Sequence, residues 1–499
     1  MKKLLILLAA MTLVFGAVSQ AGAAVKFGAT GNWQHQFTYQ QNVPNFNSDV
    51  VQDNLTMYNR ANITFTVEAN EYIKANTLIR IGAFDWGRHN QNASAVTETP
   101  PGSGTYTGGL TTGGDTLGSR TGLQVRQAFI SVKFPGAPVT LDTGVMPIAF
   151  PAAALGNNPV LNDRLPAVAL GFPVGDVGKA ALVYARPFRN TANLGSTKTT
   201  ATEKFADHNS IDAIAALADL NFGTFSLAPY LAYVKAGHQM GANTYYANAA
   251  DDKDTTAIVL GAAFKISPID NLNIGFDAIY GTTSNGTDNG FETKGFLVGL
   301  AVDYKLDFGT PGFFCWYGSG NKEDDFNDGK GGVLPLIGPD GGIAKMRFAT
   351  HYTPRIMEGN NFDMAARNGV GTLGLGVQLA NVKSMDRLNH TFRIGYIKGT
   401  CDNGTGAEFN RANANRPQGW GGALAQAGGM DKDFSLIEFD IENTLKVVDN
   451  LDFRFDLGIL APNVKDKDNK VPPPGAAKEN GDYATDTGFV LDLALVYSF

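Results

Sequence analysis

Six histidines, at positions 35, 89, 208, 238, 351 and 390, are the first place to look for chemistry in this 499-residue chain. None forms an H-E-x-x-H pair or another spacing that puts two imidazoles on one metal. His390 shares an alternating face with Leu388, Phe392 and Ile394, which suits an interfacial or bulge position better than ligation. No G-x-S-x-G elbow occurs to hold a nucleophile. The run Gly175-Asp176-Val177-Gly178-Lys179-Ala180 has the outline of a phosphate loop. Pro173 takes the place of its first glycine and Ala180 that of its Ser/Thr, so it reads as a hairpin turn. Three acidic clusters, Asp251/Asp252/Asp254, Glu323/Asp324/Asp325/Asp328 and Asp466/Asp468, have the donors to hold divalent cations but fit solvated loops better. In the second, Phe326 occupies a ligand position of the calcium-loop pattern. Sequence motifs for covalent, metal or cofactor chemistry are thus weak or absent, and the chain is not read as an enzyme.

A different chemistry emerges from charges that recur at every second residue inside apolar segments. Arg80, Arg126, Asp142, Asp277, Asp303, Lys305, Arg393, Asp452, Arg454 and Asp456 fall on the face opposite the apolar one in such segments. If the apolar face meets lipid, these residues line water, and charges on low-dielectric walls focus the field on permeating ions and polar solutes. Asp163 and Arg164 join them if the link Pro151 to Asp163, with its apolar Ala152 to Leu155, folds inward. A plain surface loop is equally compatible with that link.

The elements that position these charges are strands. Phe499, Tyr497, Leu495, Leu493, Leu491 and Phe489 share one face, with Ser498, Val496, Ala494, Asp492 and Val490 on the other. The same period of two runs through 451–459 and 296–306. Eight tight turns, near 70–72, 135–138, 174–178, 221–224, 267–271, 307–312, 383–386 and 448–450, alternate with nine longer polar or Gly-rich links. Together they predict 18 strands, or 16 if the hairpin split between Arg164–Val174 and Lys179–Pro187 is lost. The expected fold is all-β, a transmembrane antiparallel β-barrel with short periplasmic turns and long extracellular loops. Hydrocarbon offers no partner to unpaired backbone groups, so the sheet must close, and the strand beginning at Val25 is the expected mate of the last one.

Composition narrows the class. Lys plus Arg number 40 against 47 acids, so there is no bulk basic surface for nucleic acid. Lys2 and Lys3, the apolar run Leu4 to Val18 and the small residues at 21–24 form a signal-peptide layout. The expected organisation is residues 1–24 as the signal and 25–499 as one barrel domain. Removing the signal takes two lysines and no acid, moving the balance from −7 to −9. No other apolar run is long enough for a spanning helix. Cys315 and Cys401, 86 residues apart, suggest no required disulfide.

Terminal Phe499 with Tyr497 and the alternation before them resembles the signal by which outer-membrane assembly machinery recognises its substrates. The stretches NPVLNDRLPAVALGFPVGD from Asn158, GTLGLGVQLANVKSMDRLNHTFRIGYIKGT from Gly371 and DFSLIEFDIENTLKVVDNLDFRFDLGILAPNV from Asp433 resemble the outer-membrane homotrimeric porins of sulfate-reducing bacteria. That resemblance spans the mature chain. It implies a homotrimer of barrels in the outer-membrane lipid of a bacterium, each passing ions and small hydrophilic solutes by passive diffusion. A solute-selective channel, for example for sugars, is the nearest rival, but Phe84, Phe129 and Trp316 are few for a stacking lane. An outer-membrane barrel enzyme or adhesin is the rival from another class.

Overall fold

The computed structural model describes residues 25–43, 54–85, 123–189, 210–236, 254–285, 292–327, 330–337, 342–349, 369–402, 430–465, 478–479, 482–483 and 486–499. The signal-like stretch 1–24 and the acidic positions 251, 252, 328, 466 and 468 lie outside them.

Among the described residues, eighteen long strands build the fold. They are β1 (Lys26–Gln41), β2 (Asn54–Glu68), β3 (Ile73–Asp85), β4 (Leu123–Lys133), β5 (Thr140–Ala149) and β6 (Asn162–Val174). There follow β7 (Gly178–Arg189), β8 (Ser210–Asn221), β9 (Phe225–Ala236), β10 (Thr255–Ile266), β11 (Leu272–Asn285) and β12 (Glu292–Tyr304). The last six are β13 (Thr310–Gly318), β14 (Thr372–Met385), β15 (Leu388–Gly399), β16 (Phe434–Val448), β17 (Leu451–Val464) and β18 (Gly488–Ser498). The hairpin at Val174–Gly178 separates β6 from β7, which decides for 18 over 16. Each strand pairs antiparallel with its chain neighbours, and β1 also pairs with β18 from Asn32↔Ser498 to Gln41↔Phe489. Two further bonds, Phe499 N to Gly31 O at 3.0 Å and Gly31 N to Phe499 O at 2.8 Å, fasten the seam. The sheet closes on itself and has no edge to pair with another chain.

The eight short connections are the ones expected from the turn residues. Asn271 takes φ 69°, Gly175 52° and Gly223 84°, left-handed values that Asn and Gly adopt most readily. The strands run 9 to 16 residues, against the ~9–11 that a tilted strand needs to cross a bilayer.

Parity divides the side chains. On the outer face lie exposed Trp33, Ile214, Leu231, Leu260, Val377, Ile394 and Leu495. Outward aromatics form two belts: Phe134, Phe172, Phe225, Tyr304, Phe308 and Tyr497 towards the short turns, and Tyr184, Tyr233, Tyr280, Phe296 and Tyr317 nearer the long links. Tyr497 and Phe499 stack with ring centroids 6.0 Å apart in the lower belt.

The inner face is not uniformly polar. From β5 to β10 it carries buried Met146, Ile148, Leu165, Val183, Ile211, Tyr230, Val234 and Val259 with many alanines. The simple expectation that the face opposite lipid meets water fails over these strands. The connecting residues 150–161, 333–337 and 342–349 fold inward and form a dry core with them. Fully burying a side chain such as Leu155, Val160, Leu334 or Leu336 contributes ~1.5–3 kcal/mol, so the filled half is a major source of stability.

Candidate functional site

The interior has a packed half and a polar half, and carboxylates on the wall join them. Asp277 on β11 accepts from the consecutive N–H groups of Ala153, Ala154 and Leu155, each at 2.8 Å. The segment 347–349 is gripped in the same way from β16. Arg347 N donates to Asp440 at 3.1 Å, Phe348 N to Glu438 at 2.9 Å and Ala349 N to Glu438 at 2.6 Å. A run of amides is a natural anion cradle, and here the anions belong to the barrel itself.

Side chains complete the anchorage. Arg347 Nη2 reaches Asp456 at 3.2 Å and Asp492 at 3.8 Å, and Thr38 Oγ1 donates to Asp492 at 2.5 Å. Burial opposes the charge on Arg347, but Asp456, Asp492, Glu442 and Asp440 hold its guanidinium above the ordinary value. Lys345, two residues earlier, is pushed below the usual lysine value by burial. Asp303 and Asp277 resist that push, whereas Arg393 adds to it. On the other segment, Asn158 donates to Pro151 O and Tyr230 Oη and accepts from Val160 N, knotting the turn. Tyr230 stacks on Phe150 at 4.5 Å. The two segments also join each other through Ala344 N to Leu155 O at 2.8 Å and Ile337 N to Val160 O at 2.9 Å.

Inward glycines make the seats. A Cβ on Gly295 would stand 2.2 Å from the Val333 carbonyl carbon, and one on Gly458 2.2 Å from the Phe348 ring. Gly458→Leu is therefore expected to lift Phe348 off the wall at a cost of about 1–3 kcal/mol. A lower melting temperature in detergent, with the barrel still closed by circular dichroism, is the result that checks it.

The residues singled out in the sequence divide between the two halves. Asp277, Asp303 and Arg393 come together around the infolded segments. Arg393 Nε donates to Gln378 at 3.2 Å, Gln378 to Asp303 at 2.8 Å, and Arg393 Nη1 pairs with Glu442. Arg80 lies inward on the far wall and donates to Asn62 at 3.0 Å, and Asn62 donates to Asn32 at 3.1 Å. Arg126 sits in the bulge where β4 passes Leu78 and Ile79. Arg454 faces inward beside Asp452 at 3.5 Å. Asp142 and Asp163 share the inward parity of β5 and β6, with Asp163 buried at the inner end of the folded-in link.

Two residues depart from the expectation. Arg164 alternates with Asp163 and so takes the outward parity of exposed Val168 and Leu170, because β6 runs without a bulge from Asn162. Lys305 has left β12, is exposed, and bonds through its N–H to Asn271 O in a short turn at the mouth. Trp316 is inward but buried, its Nε1 donating to Thr372 Oγ1 at 2.9 Å, so it is packing and not a stacking lane. Both cysteines are free thiols.

Four inward groups went unremarked in the sequence: Glu438, Asp440, Lys345 and Arg347. Glu438, Asp440 and Glu442 alternate within the apolar run of β16, a legible signal of an acidic inner face. The two cations sit in a long link and carry no period.

No protein-family model matches the chain, and no curated protein matches it. Among solved structures it is similar to Pseudomonas aeruginosa OprD, at 12% identity over 94% of this chain and 95% of that one, with TM-score 0.48. It is also similar to P. aeruginosa OccK11, at 9% over 95% and 96%, TM-score 0.47. A third is the outer membrane channel DcaP of Acinetobacter baumannii, at 14% over 96% and 99%, TM-score 0.41.

Proposed function

We propose that this chain is an outer-membrane porin, a passive channel for ions and small hydrophilic solutes whose water path follows the polar wall. The observation that carries this reading is the pairing of a closed, oil-facing barrel with an interior in which one wall remains polar. Inward Gln34, Gln36, Thr38, Asn62 and Arg80 on β1 to β3 line that wall, next to the acidic inner faces of β16 to β18. Cations at Arg60, Arg80 and Arg126 stand on one stretch of it, while the carboxylates of Asp440, Asp456 and Asp492 lie behind the neighbouring stretch, buried under the segment that carries Arg347. A passage along this wall runs through the field of charges of both signs, which sorts solutes by charge and dipole.

Short turns at one mouth support a periplasmic end, and long links at the other support an exterior one. The resemblance to the homotrimeric porins of sulfate-reducing bacteria supports a trimer, and the outward Tyr497 and Phe499 support delivery by the outer-membrane assembly machinery. Residues 1–24 fit a cleaved export signal. Transport itself needs no chemical step.

Reconstitution in planar bilayers tests the reading. Stepwise conductance is expected, with three equal closures for a trimer. Arg126→Glu and Arg454→Glu are each expected to shift the reversal potential towards cation preference. A protein that inserts without conducting would overturn the channel, and unchanged ion preference in both variants would remove these residues from its path.

A further inference from the structure

The outer face carries a second constellation that conduction does not use. Two register shifts, between Leu379 and Val382 and between Lys383 and Met385, deform β14 just before its short turn, and Ser384 is left without a cross-strand partner. Bulges of this kind re-aim side chains and are common beside active sites. Ser384 Oγ lies 2.6 Å from His390 Nε2, and His390 Nδ1 lies 2.6 Å from Asn443 Oδ1.

The hydrogen-bond directions follow from the last member. Asn443 Nδ2 donates to the Phe455 carbonyl at 2.8 Å, so its amide oxygen is the atom that faces the imidazole. That oxygen only accepts, so His390 Nδ1 must carry the hydrogen. Nε2 then presents a lone pair, and the Ser384 hydroxyl must be the donor. A hydroxyl donating to an imidazole whose far nitrogen is held by an oriented acceptor is the arrangement that activates a serine nucleophile.

Its location selects the substrate. His390 is in register with Val382 and Asn443, on the parity of exposed Ile394 and opposite to inward Arg393. Its ring stacks on Phe392 at 6.0 Å. Exposed Met385, Val448 and Phe453 lie around the same end of the barrel, at the edge of the apolar belt. Arg387, in the same turn, is fixed by Nη1 donating to Val447 O at 3.0 Å. A serine at the boundary of oil and water, with an arginine beside it, meets the ester carbonyl and the phosphate of a glycerophospholipid.

We propose that Ser384, His390 and Asn443 form a lipid-facing acyl-ester hydrolase site for glycerophospholipids of the periplasmic leaflet. The proposal rests on the membrane placement given above. Ser384 Oγ attacks the ester carbonyl carbon while its proton passes to His390 Nε2. The C–O bond to the glyceryl oxygen breaks, and that oxygen leaves as the lysophospholipid alcohol with the same proton. Water then attacks the acyl-serine, again giving a proton to His390, which returns it to Ser384 Oγ as the fatty acid departs. Ser384 and His390 are the catalytic residues, and Asn443 positions the ring.

The test uses the full chain, reconstituted so that conductance and hydrolysis are read on one preparation. A long-chain fluorophosphonate is expected to label Ser384, located by mass spectrometry, and phosphatidylethanolamine in mixed micelles is expected to release fatty acid. Ser384→Ala and His390→Ala are each expected to lower that release by about 10³-fold or more, with conductance unchanged. Asn443→Ala is expected to lower kcat at similar KM, and Asn443→Asp to restore it. Conducting wild-type protein that takes no label and releases no more fatty acid than Ser384→Ala would overturn the site and leave the channel standing. Hydrolysis without conductance would do the reverse.

Discussion

Arg347→Ala is expected to destabilise the barrel by about 3–5 kcal/mol, the range for removing one partner of a buried ion pair, and to enlarge its conductance. The guanidinium is almost entirely buried, with Asp456 at 3.2 Å and Asp492 at 3.8 Å, and its own amide is bound by Asp440. Without it, three wall carboxylates keep their burial and lose their counter-charge, so they must gain water or protons. Water entering there separates 346–349 from the wall, which widens the path, and the uncovered acids raise cation preference. Arg347→Lys keeps the charge but not the planar fork, so an intermediate effect is expected. Thermal melting in detergent reads the first consequence, and single-channel conductance with reversal potential reads the others. An unchanged melting temperature together with unchanged conductance would show that the segment is held by its backbone alone.

The barrel was legible because lipid imposes a rule on every strand. Phe489 to Phe499 and Leu451 to Ile459 state the period of two openly, and Gly175, Gly223 and Asn271 mark tight turns by residue type. Counting short and long links then gave the strand number and the seam between the first and last strands. The contents of the barrel were less legible, since period two distinguishes two faces but not water from protein on the inner one. Ala213, Ala215, Ala232 and Val234 alternate with Ile214, Ala216, Leu231 and Tyr233, apolar against apolar, and that signature was present in β8 and β9. It marks strands buried on both faces, which in a membrane barrel requires something folded inside.

Individual side chains are harder to read than the barrel, for local reasons. Arg164 and its neighbour Asp163 do not share a face, because adjacent residues on an unbulged strand point opposite ways. Lys305 continued the period of β12 by one position after the strand had ended. Asp277 was placed on the inner face by alternation, but its role was hidden, because its three donors come from a link 122 to 124 residues earlier. Arg347 lies in a long link with no period, so its wall partners on β16 to β18 were invisible. Ser384, His390 and Asn443 come from three strands, and only the bulge that displaces Ser384 brings the first two within 2.6 Å.

Asp277→Ala is expected to have a comparable effect from the other side of the lumen. It leaves the N–H groups of Ala153, Ala154 and Leu155 buried with their acceptor gone, at about 1–3 kcal/mol each unless water replaces it. Asp277→Asn retains one acceptor oxygen and should lose much less. The two anchors are not independent, because Leu155 O accepts from Ala344 N and Val160 O from Ile337 N. Once either segment leaves its seat, the other has lost part of its contact surface, so the second substitution has less left to break. The double variant is accordingly expected to fall short of the summed losses by about 0.5–3 kcal/mol, the range for residues coupled through shared contacts. Its conductance should also be nearer the larger single effect than their sum. A cycle that closes additively in both measurements would mean that the infolded segments are separate fixtures and that neither braces the other across the channel.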